Sequence, residues 1–340
     1  MFITTSIIFI IFALITNISL ELSIYISSIG LIIISILTIF STYVVILINS
    51  INKPIEDSIN KGFYNAAKKK LEEMPNMKVI GITGSYGKTS TKYILSTILE
   101  QKYNVLMTPE SFNTTLGVVR TINENLNSMH QIFVCEMGAK NIGDIKEICD
   151  LVHPEYGILT AIGPQHLETF KSLENVRKTK MELVEAVTNK AFVNYEDENI
   201  IETKIEKDNI KYGISQNCDT YAYDIKITEE GSIFNVHTKD GEITNIKTKL
   251  LGEHNIQNIL GCIAIAVHLG LTNEQIANGI AKIKPIEHRL QILPNKNGIT
   301  VIDDAFNSNP VGSKMALDVL KSFEGRKIII TPGMVELRKR

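Results

Sequence analysis

Residues 81–90 read Gly81-Ile-Thr-Gly-Ser-Tyr-Gly-Lys-Thr-Ser90 and follow directly on the apolar run Met77 to Ile82. An apolar run that ends in spaced glycines and then Lys-Thr is the pattern of a buried strand turning into a helix around an anion. Gly84 and Gly87 permit backbone angles that turn successive N–H groups inward, Lys88 supplies a point charge, and Thr89 a hydroxyl suited to Mg²⁺. Ser85, Tyr86 and Ser90 complete the candidate phosphate-binding set. A helix predicted from about Thr89 to Gln101 adds its positive N-terminal dipole. The spacing is a short form, Thr83-Gly84-x-x-Gly87-Lys88-Thr89, because Ile82 stands where the longer pattern has its first glycine. A turn that binds nothing needs no lysine, so the Lys-Thr pair favours phosphate.

Working outward from this loop, β-branched runs at Val79 to Thr83, Asn104 to Met107, Ile132 to Glu136 and Tyr156 to Ala161 predict strands. Helical segments near 89–101, 116–126, 143–150 and 173–188 separate them. This alternation predicts an α/β fold with a mainly parallel sheet covered on both faces and function at the carboxyl ends of the strands. Residues 219–250 alternate more like antiparallel strands, and Gly252 opens a helix over His254 to Leu269, followed by another over Asn273 to Ile283. After Pro285 a new unit begins, with Arg289 to Leu293, Thr300 to Asp303, a helix from Pro310 to Phe323 and a strand Lys327 to Thr331.

The first fifty residues belong to another solvent, because Glu21 is their only charged side chain. Phe2 to Leu20 and Ser23 to Ile48 are each long enough to cross a hydrocarbon core as a helix, and Asn17 to Glu21 offers a turn between them. A transmembrane helical hairpin over residues 1–52 is the expectation, with a single tilted anchor as the other reading. A cleaved signal peptide fits less well, since no basic segment precedes the apolar stretch. Lys53, Lys61 and Lys68-Lys69-Lys70 follow the second span, which places the rest of the chain in the cytoplasm by the positive-inside rule and sets those lysines near anionic lipid. An ordinary solvated helix face explains Lys61 to Glu73 equally well.

The 340 residues allow about two domains of ordinary size, and a net charge of -2 gives no electrostatic reason to expect nucleic acid as a partner. The four cysteines lie far apart without C-x-x-C spacing, so neither a zinc site nor a disulfide framework is predicted.

Glu136 closes an apolar strand ahead of Met-Gly-Ala and is a candidate Mg²⁺ ligand, the plain alternative being a surface carboxylate. His166, in Gly163-Pro-Gln-His-Leu167, reads as a metal ligand or as a structural hydrogen-bonding group. Lys180 sits in Arg177-Lys-Thr-Lys-Met-Glu182, and by charge pattern alone that is a solvated basic face. Asn255 and Asn258, after His254, suit capping or backbone hydrogen bonding at a helix start. Asp303-Asp304 precedes Asn307-Ser-Asn309-Pro310, where Asn309 fits an N-cap.

In their order along the chain these segments resemble the Mur ligase family. The loop at Thr83 to Ser90 is similar to the family's ATP loop, and Ser111-Phe-Asn-Thr-Thr-Leu-Gly117 to its substrate-side loop, which makes Asn113, Thr114 and Thr115 candidate substrate contacts. Glu136-Met-Gly-Ala139, Gly163 to Leu167, Lys180-Met-Glu182, Gly252-Glu-His-Asn255, Arg289 and Asp303 to Pro310 complete the series, the last resembling the D-alanyl-D-alanine-adding branch. The resemblance implies ATP as substrate, Thr89 and Glu136 on one Mg²⁺, and His166 with a carbamylated Lys180 on a second. It implies catalytic roles for Lys88, Lys180 and His166, adenine contact by Asn258, and contacts from Arg289 and Asp304 to the nucleotide's phosphate and ribose ends. The implied reaction is ATP-driven amide synthesis through an acyl phosphate, with a UDP-linked muramoyl peptide and D-alanyl-D-alanine as substrates. The implied organisation is a linker or juxtamembrane helix over 53–76, a P-loop-type ATP-binding central domain over 77–285, and the start of a Rossmann-like α/β domain over 286–340. That last domain would extend past Arg340, and the membrane hairpin stands where the branch has its uridine-nucleotide domain. A poly-γ-glutamate synthetase and a non-catalytic ATP-binding membrane subunit are the rival readings.

Overall fold

The computed structural model describes residues 6–7, 20–228, 231–296, 298–305 and 310–331. Two helices, α1 (Leu20–Ile39) and α2 (Ser41–Glu72), come first. They lead to β1 (Lys78–Thr83), α3 (Lys88–Leu99), β2 (Val105–Met107), α4 (Thr115–Asn125), β3 (Ile132–Glu136), α5 (Asp144–Val152) and β4 (Tyr156–Leu159). The chain continues through α6 (Leu167–Phe170), α7 (Leu173–Ala186), β5 (Lys190–Asn194), α8 (Glu198–Ile201), β6 (Asn209–Gly213), β7 (Thr220–Thr228), β8 (Gly231–Thr238) and β9 (Gly241–Thr248). Last come α9 (Glu253–His268), α10 (Asn273–Lys282), β10 (Gln291–Lys296), β11 (Ile299–Asp303) and α11 (Pro310–Ser322).

Contacts divide the chain into two units at Gly62 and Phe63. In the first, α1 and the start of α2 expose apolar side chains such as Ile29, Ile33, Leu37 and Ile46. Among the described residues no single helix is long and apolar enough to cross a membrane, although Ile24–Ile39 and Ser41–Glu72, bent by 67°, meet the length and composition together. This departs from the expected hairpin. The expected first span lies almost wholly outside the described residues, Leu20 and Glu21 open a helix rather than form a turn, and the span Ser23 to Ile48 is broken at Phe40. Two residues before the break, the Thr38 hydroxyl donates back to the Ile34 carbonyl at 2.8 Å, an arrangement that bends helices. Helix α2 runs unbroken from Ser41 to Glu72, through residue 52.

The second unit holds a nine-stranded sheet in the order β2-β3-β1-β4-β5-β6-β7-β8-β9. Pairing is parallel from β2 to β7 and antiparallel among β7, β8 and β9, so the antiparallel strands expected over 219–250 extend the same sheet. The alternation of side chains sorts the core into two layers. Ile80 and Ile82 of β1 and Ile132 and Val134 of β3 face a cluster with Ile94, Leu95 and Ile98 of α3 and the apolar side of α9. Val79, Phe133 and Cys135 point the other way, into a cluster with Val118 and Ile122 of α4, Ile145 and Ile148 of α5 and Leu183 of α7.

Because β1 lies between β3 and β4, the chain leaves it in one direction to build β2 and β3 and then crosses to the other side to build β4. The carboxyl end of β1 is therefore the switch point of the parallel sheet, where such folds open a crevice. Beyond α10, the antiparallel pair β10–β11 and helix α11 enclose a small core of Leu251, Leu290, Val319 and Phe323. The strand expected to begin at Arg289 begins at Gln291, since His288 and Leu290 take left-handed backbone angles of +61° and +45°. Lys327 to Thr331, expected as a strand, pairs with no strand among the described residues.

Candidate active site

The loop Gly84 to Gly87 occupies the switch point and is tied to the segment that follows β4. Ser85 N donates to the Ala161 carbonyl at 2.8 Å, Ser85 Oγ to the Gly163 carbonyl at 2.9 Å, and Tyr86 Oη to the Pro164 carbonyl at 3.0 Å. Thr160 Oγ1 donates to the Tyr86 carbonyl. Gly87, at φ +80°, leads into α3, and a methyl group there would meet Asn258 Oδ1 at 2.7 Å. Asn258, expected at the adenine, thus rests its carboxamide on the last glycine of the loop, while Ser90 is buried in the first turn of α3.

Lys88 Nζ donates to the Gly84 carbonyl at 2.7 Å, and burial holds its pKa below the ordinary lysine value. Thr89 Oγ1 donates at 3.1 Å to Oε1 of Glu136, which is only 1% exposed at the end of β3, so the expected pair is brought together. Asn113 Nδ2 donates to the same oxygen at 3.1 Å. The neighbouring threonines are used differently. Thr114 caps α4 by accepting from Gly117 N at 3.3 Å, and Thr115 Oγ1 donates to Glu147 at 2.8 Å.

Lys180, read from its charge pattern as solvated, is 1% exposed. Burial, with the charge of Lys88 adding to it, pushes its pKa down to about 7. The helix that carries it is fixed by Glu182, whose carboxylate accepts from Gly143 N and Lys146 N, both at 2.8 Å, at the start of α5. His166 stands at the N-cap of α6 with φ +50°. Among the described residues no group of three or more His, Cys, Asp or Glu side chains could hold a metal ion. Glu136 and His166 are the encoded donors of these types in the two expected cation sets, which a carbamate on Lys180 would enlarge by a carboxylate.

From the last segment, Arg289 is half-buried within electrostatic range of Glu136, Asp304, Tyr93 and Lys88. Asp304 Oδ1 accepts from Leu290 N at 3.2 Å and fixes the turn that presents the arginine. Burial drives the His254 pKa down to about 4, so its imidazole is neutral at pH 7. Asn307 to Asn309 lie outside the described residues.

The sequence reading missed Lys92. It is 0% exposed, with Nζ 3.0 Å from Glu136 Oε2, close enough for an ion pair but not aligned as a hydrogen bond. The signal was helical spacing, because Lys88, Thr89 and Lys92 share one face of α3. Asn194, Asp197 and Asn199 were missed as well. Asn194 donates to the Thr160 carbonyl at 2.9 Å, Asp197 accepts from Ile162 N at 3.1 Å, and Asn199 donates to the Ile162 carbonyl at 2.8 Å, so all three shape the segment behind the loop.

A glycine loop at the switch point of a parallel sheet, with Lys88 and Arg289 converging beside a buried carboxylate and Lys180 buried within electrostatic range of Lys88, defines an α/β domain of the phosphate-binding type. Residues 82–266 match the Mur ligase middle domain, and the chain belongs to the Mur ligase family. It is 31% identical over 274 residues to the UDP-N-acetylmuramoyl-tripeptide–D-alanyl-D-alanine ligase of Buchnera aphidicola subsp. Baizongia pistaciae, covering 79% of this chain and 59% of that protein. It is 30% identical over 274 residues to the corresponding ligase of Bacillus subtilis, covering 80% and 59%. Among solved structures it is similar to MurF of Acinetobacter baumannii, with TM-score 0.73, 29% identity and coverage of 78% of this chain and 59% of that one. MurF ligase of Thermotoga maritima in complex with ADP gives TM-score 0.72 at 26% identity, with 78% and 62% coverage. The chain thus spans about three fifths of the length of these relatives.

Proposed function

We propose that this chain carries the ATP-binding and acid-activating centre of a C–N bond-forming ligase of peptidoglycan precursor synthesis. Its substrates are a UDP-N-acetylmuramoyl-tripeptide, whose carboxylate is activated, and D-alanyl-D-alanine, whose amine is joined to it. The supporting observation is the convergence of Lys88 and Arg289 on the buried Thr89–Glu136 pair, with Lys180 buried within electrostatic range of Lys88. Two cations around one carboxylate leave positive charge in excess, which suits a polyphosphate. The relatives act on these substrates according to their names.

The residues present fit ATP and a divalent cation. Gly84 and Gly87, both at positive φ, let the loop turn tightly against Thr160 and Asn258 into the start of α3, and Glu136 offers a buried carboxylate next to a hydroxyl. Thr89 and Glu136 would hold one Mg²⁺, and His166 with Lys180 a second. Bound there, Mg²⁺ disperses charge on the phosphoryl oxygens. Lys180 can acquire the missing carboxylate, since a lysine pushed down to about 7 presents a neutral amine. That amine adds to CO₂ with loss of one proton and becomes an anionic carbamate.

The chemistry asks little acid–base work of the protein. The peptide carboxylate attacks the γ-phosphorus and ADP leaves. The amine then attacks the resulting acyl phosphate, and inorganic phosphate leaves with the amide formed. Lys88 and Arg289 stabilise charge on the transferring group, while Asn113, held on Glu136, places the substrate-side loop next to it. The apolar helix α1 and the start of α2 would attach this centre to the cytoplasmic face of the cell membrane.

The test is ADP release by the purified chain with ATP and Mg²⁺, omitting each substrate in turn. Release that requires both the muramoyl tripeptide and D-alanyl-D-alanine supports the proposal. Release indifferent to the dipeptide refutes it.

A further inference from the structure

Lys92 is a fully buried lysine for which the chemistry above has no use. It lies one turn beyond Lys88 on the same face of α3, pointing at the cation side of the site. Its Nζ donates to the Glu110 carbonyl, which a left-handed residue (φ +40°) turns toward it. The same Nζ stands 3.0 Å from Glu136 Oε2, while Oε1 is taken by Thr89 and Asn113. The backbone N–H of Glu136 is held as well, donating to Thr108 Oγ1 at 3.1 Å. The carboxylate is thus fixed on all sides, and its second oxygen faces an ammonium that the Glu110 carbonyl keeps from swinging away.

We propose that Lys92 is a positioning residue that competes with divalent cation for Glu136, so that the cation binds well only together with nucleotide phosphates. This rests on the assignment of Thr89 and Glu136 to a cation. A cation on Glu136 meets a fixed like charge a few ångströms away, which weakens its binding. Thr89 and Glu136 supply two oxygens where Mg²⁺ needs six, and nucleotide phosphates add both oxygens and negative charge. Ordering follows: cation affinity is low without nucleotide and high with it, and by linkage nucleotide affinity rises equally with cation. The tether to Glu110 also joins the cation carboxylate to the segment leading into the substrate-side loop at Asn113.

The test is Mn²⁺ binding to the full 340-residue chain, read from the electron paramagnetic resonance signal of free Mn²⁺, with and without ADP. Lys92→Gln keeps an N–H for the Glu110 carbonyl and removes the charge, while Lys92→Arg keeps the charge. Wild type and Lys92→Arg are expected to bind Mn²⁺ about tenfold or more tightly with ADP than without it. Lys92→Gln is expected to bind Mn²⁺ without ADP about tenfold more tightly than wild type. The double variant Lys92→Gln/Glu136→Gln, which leaves no unpaired charge, should lose that binding. Equal ADP-free affinity in wild type and Lys92→Gln, lost in the double variant, overturns the competitor role and leaves the cation site standing. Tight binding that survives in the double variant overturns the cation assignment itself. Should Lys92→Gln fail to fold, wild type alone decides: Mn²⁺ bound as tightly without ADP as with it overturns the proposal.

Discussion

Thr89 Oγ1 donates a 3.1 Å hydrogen bond to Glu136 Oε1, which locks the first turn of α3 to the end of β3 across the switch point of the sheet. The other oxygen of Glu136 faces Lys92 Nζ in a pair from which water is excluded. Removing one member of such a pair strands the other charge.

Glu136→Gln is therefore expected to cost about 3–5 kcal/mol of stability and to abolish ADP release. Adding Lys92→Gln should return much of the stability without returning activity, because a neutral pair needs no counter-charge. Urea denaturation of the two variants checks this, with equal stability as the contrary result.

Gly87 holds φ +80°, and a methyl group on it would press on Asn258 at 2.7 Å. Gly87→Ala is expected to lose about 1–2 kcal/mol from backbone strain alone, and to lose nucleotide binding with it as the loop shifts. Titration with a fluorescent ADP analogue measures the second effect.

Lys180 carries a pKa pushed down to about 7 by burial, with Lys88 adding to it, from 10.5 in an unhindered lysine. Between those values the unfolded chain binds more protons at this position than the folded one. Stability from this group therefore rises with pH from about 7 to 10.5, and the cost of the buried charge stands in full below 7. Lys180→Met is expected to be more stable than wild type at pH 6 by a margin that shrinks as pH rises. Denaturation midpoints at pH 6 and 9 show it. The same variant is expected to bind ATP and form no ADP.

Ile29, Ile33 and Leu37 are exposed along α1. Membrane attachment through this helix predicts that the chain floats with liposomes of mixed neutral and anionic lipid, and that lysine at all three positions abolishes flotation. Unchanged flotation of the triple variant would place the attachment elsewhere.

The strand–loop–helix at 78–99 was legible because its signals are local: a buried apolar run, glycines where the backbone turns, and Lys-Thr at the helix start. Strands β5 and β6 were not, since Lys190 to Asn194 and Asn209 to Gly213 are short runs flanked by charges, made strands by neighbours already in place. The break at Phe40 lies among Thr38, Ser41 and Thr42 with no Gly, Pro, Asn or Asp beside it, so hydroxyl groups that occur throughout helices are its only local signal. Lys180 and Lys92 show the limit at the site. A lysine within a helix reads as solvated, and only tertiary structure reveals that these two are buried among charges.

The most direct measurement follows oxygen. With ¹⁸O in the reacting carboxylate of the muramoyl tripeptide, activation through an acyl phosphate predicts one ¹⁸O in the inorganic phosphate released for each amide formed. Phosphate released without the label, or amide formed without ATP cleavage, would contradict the account.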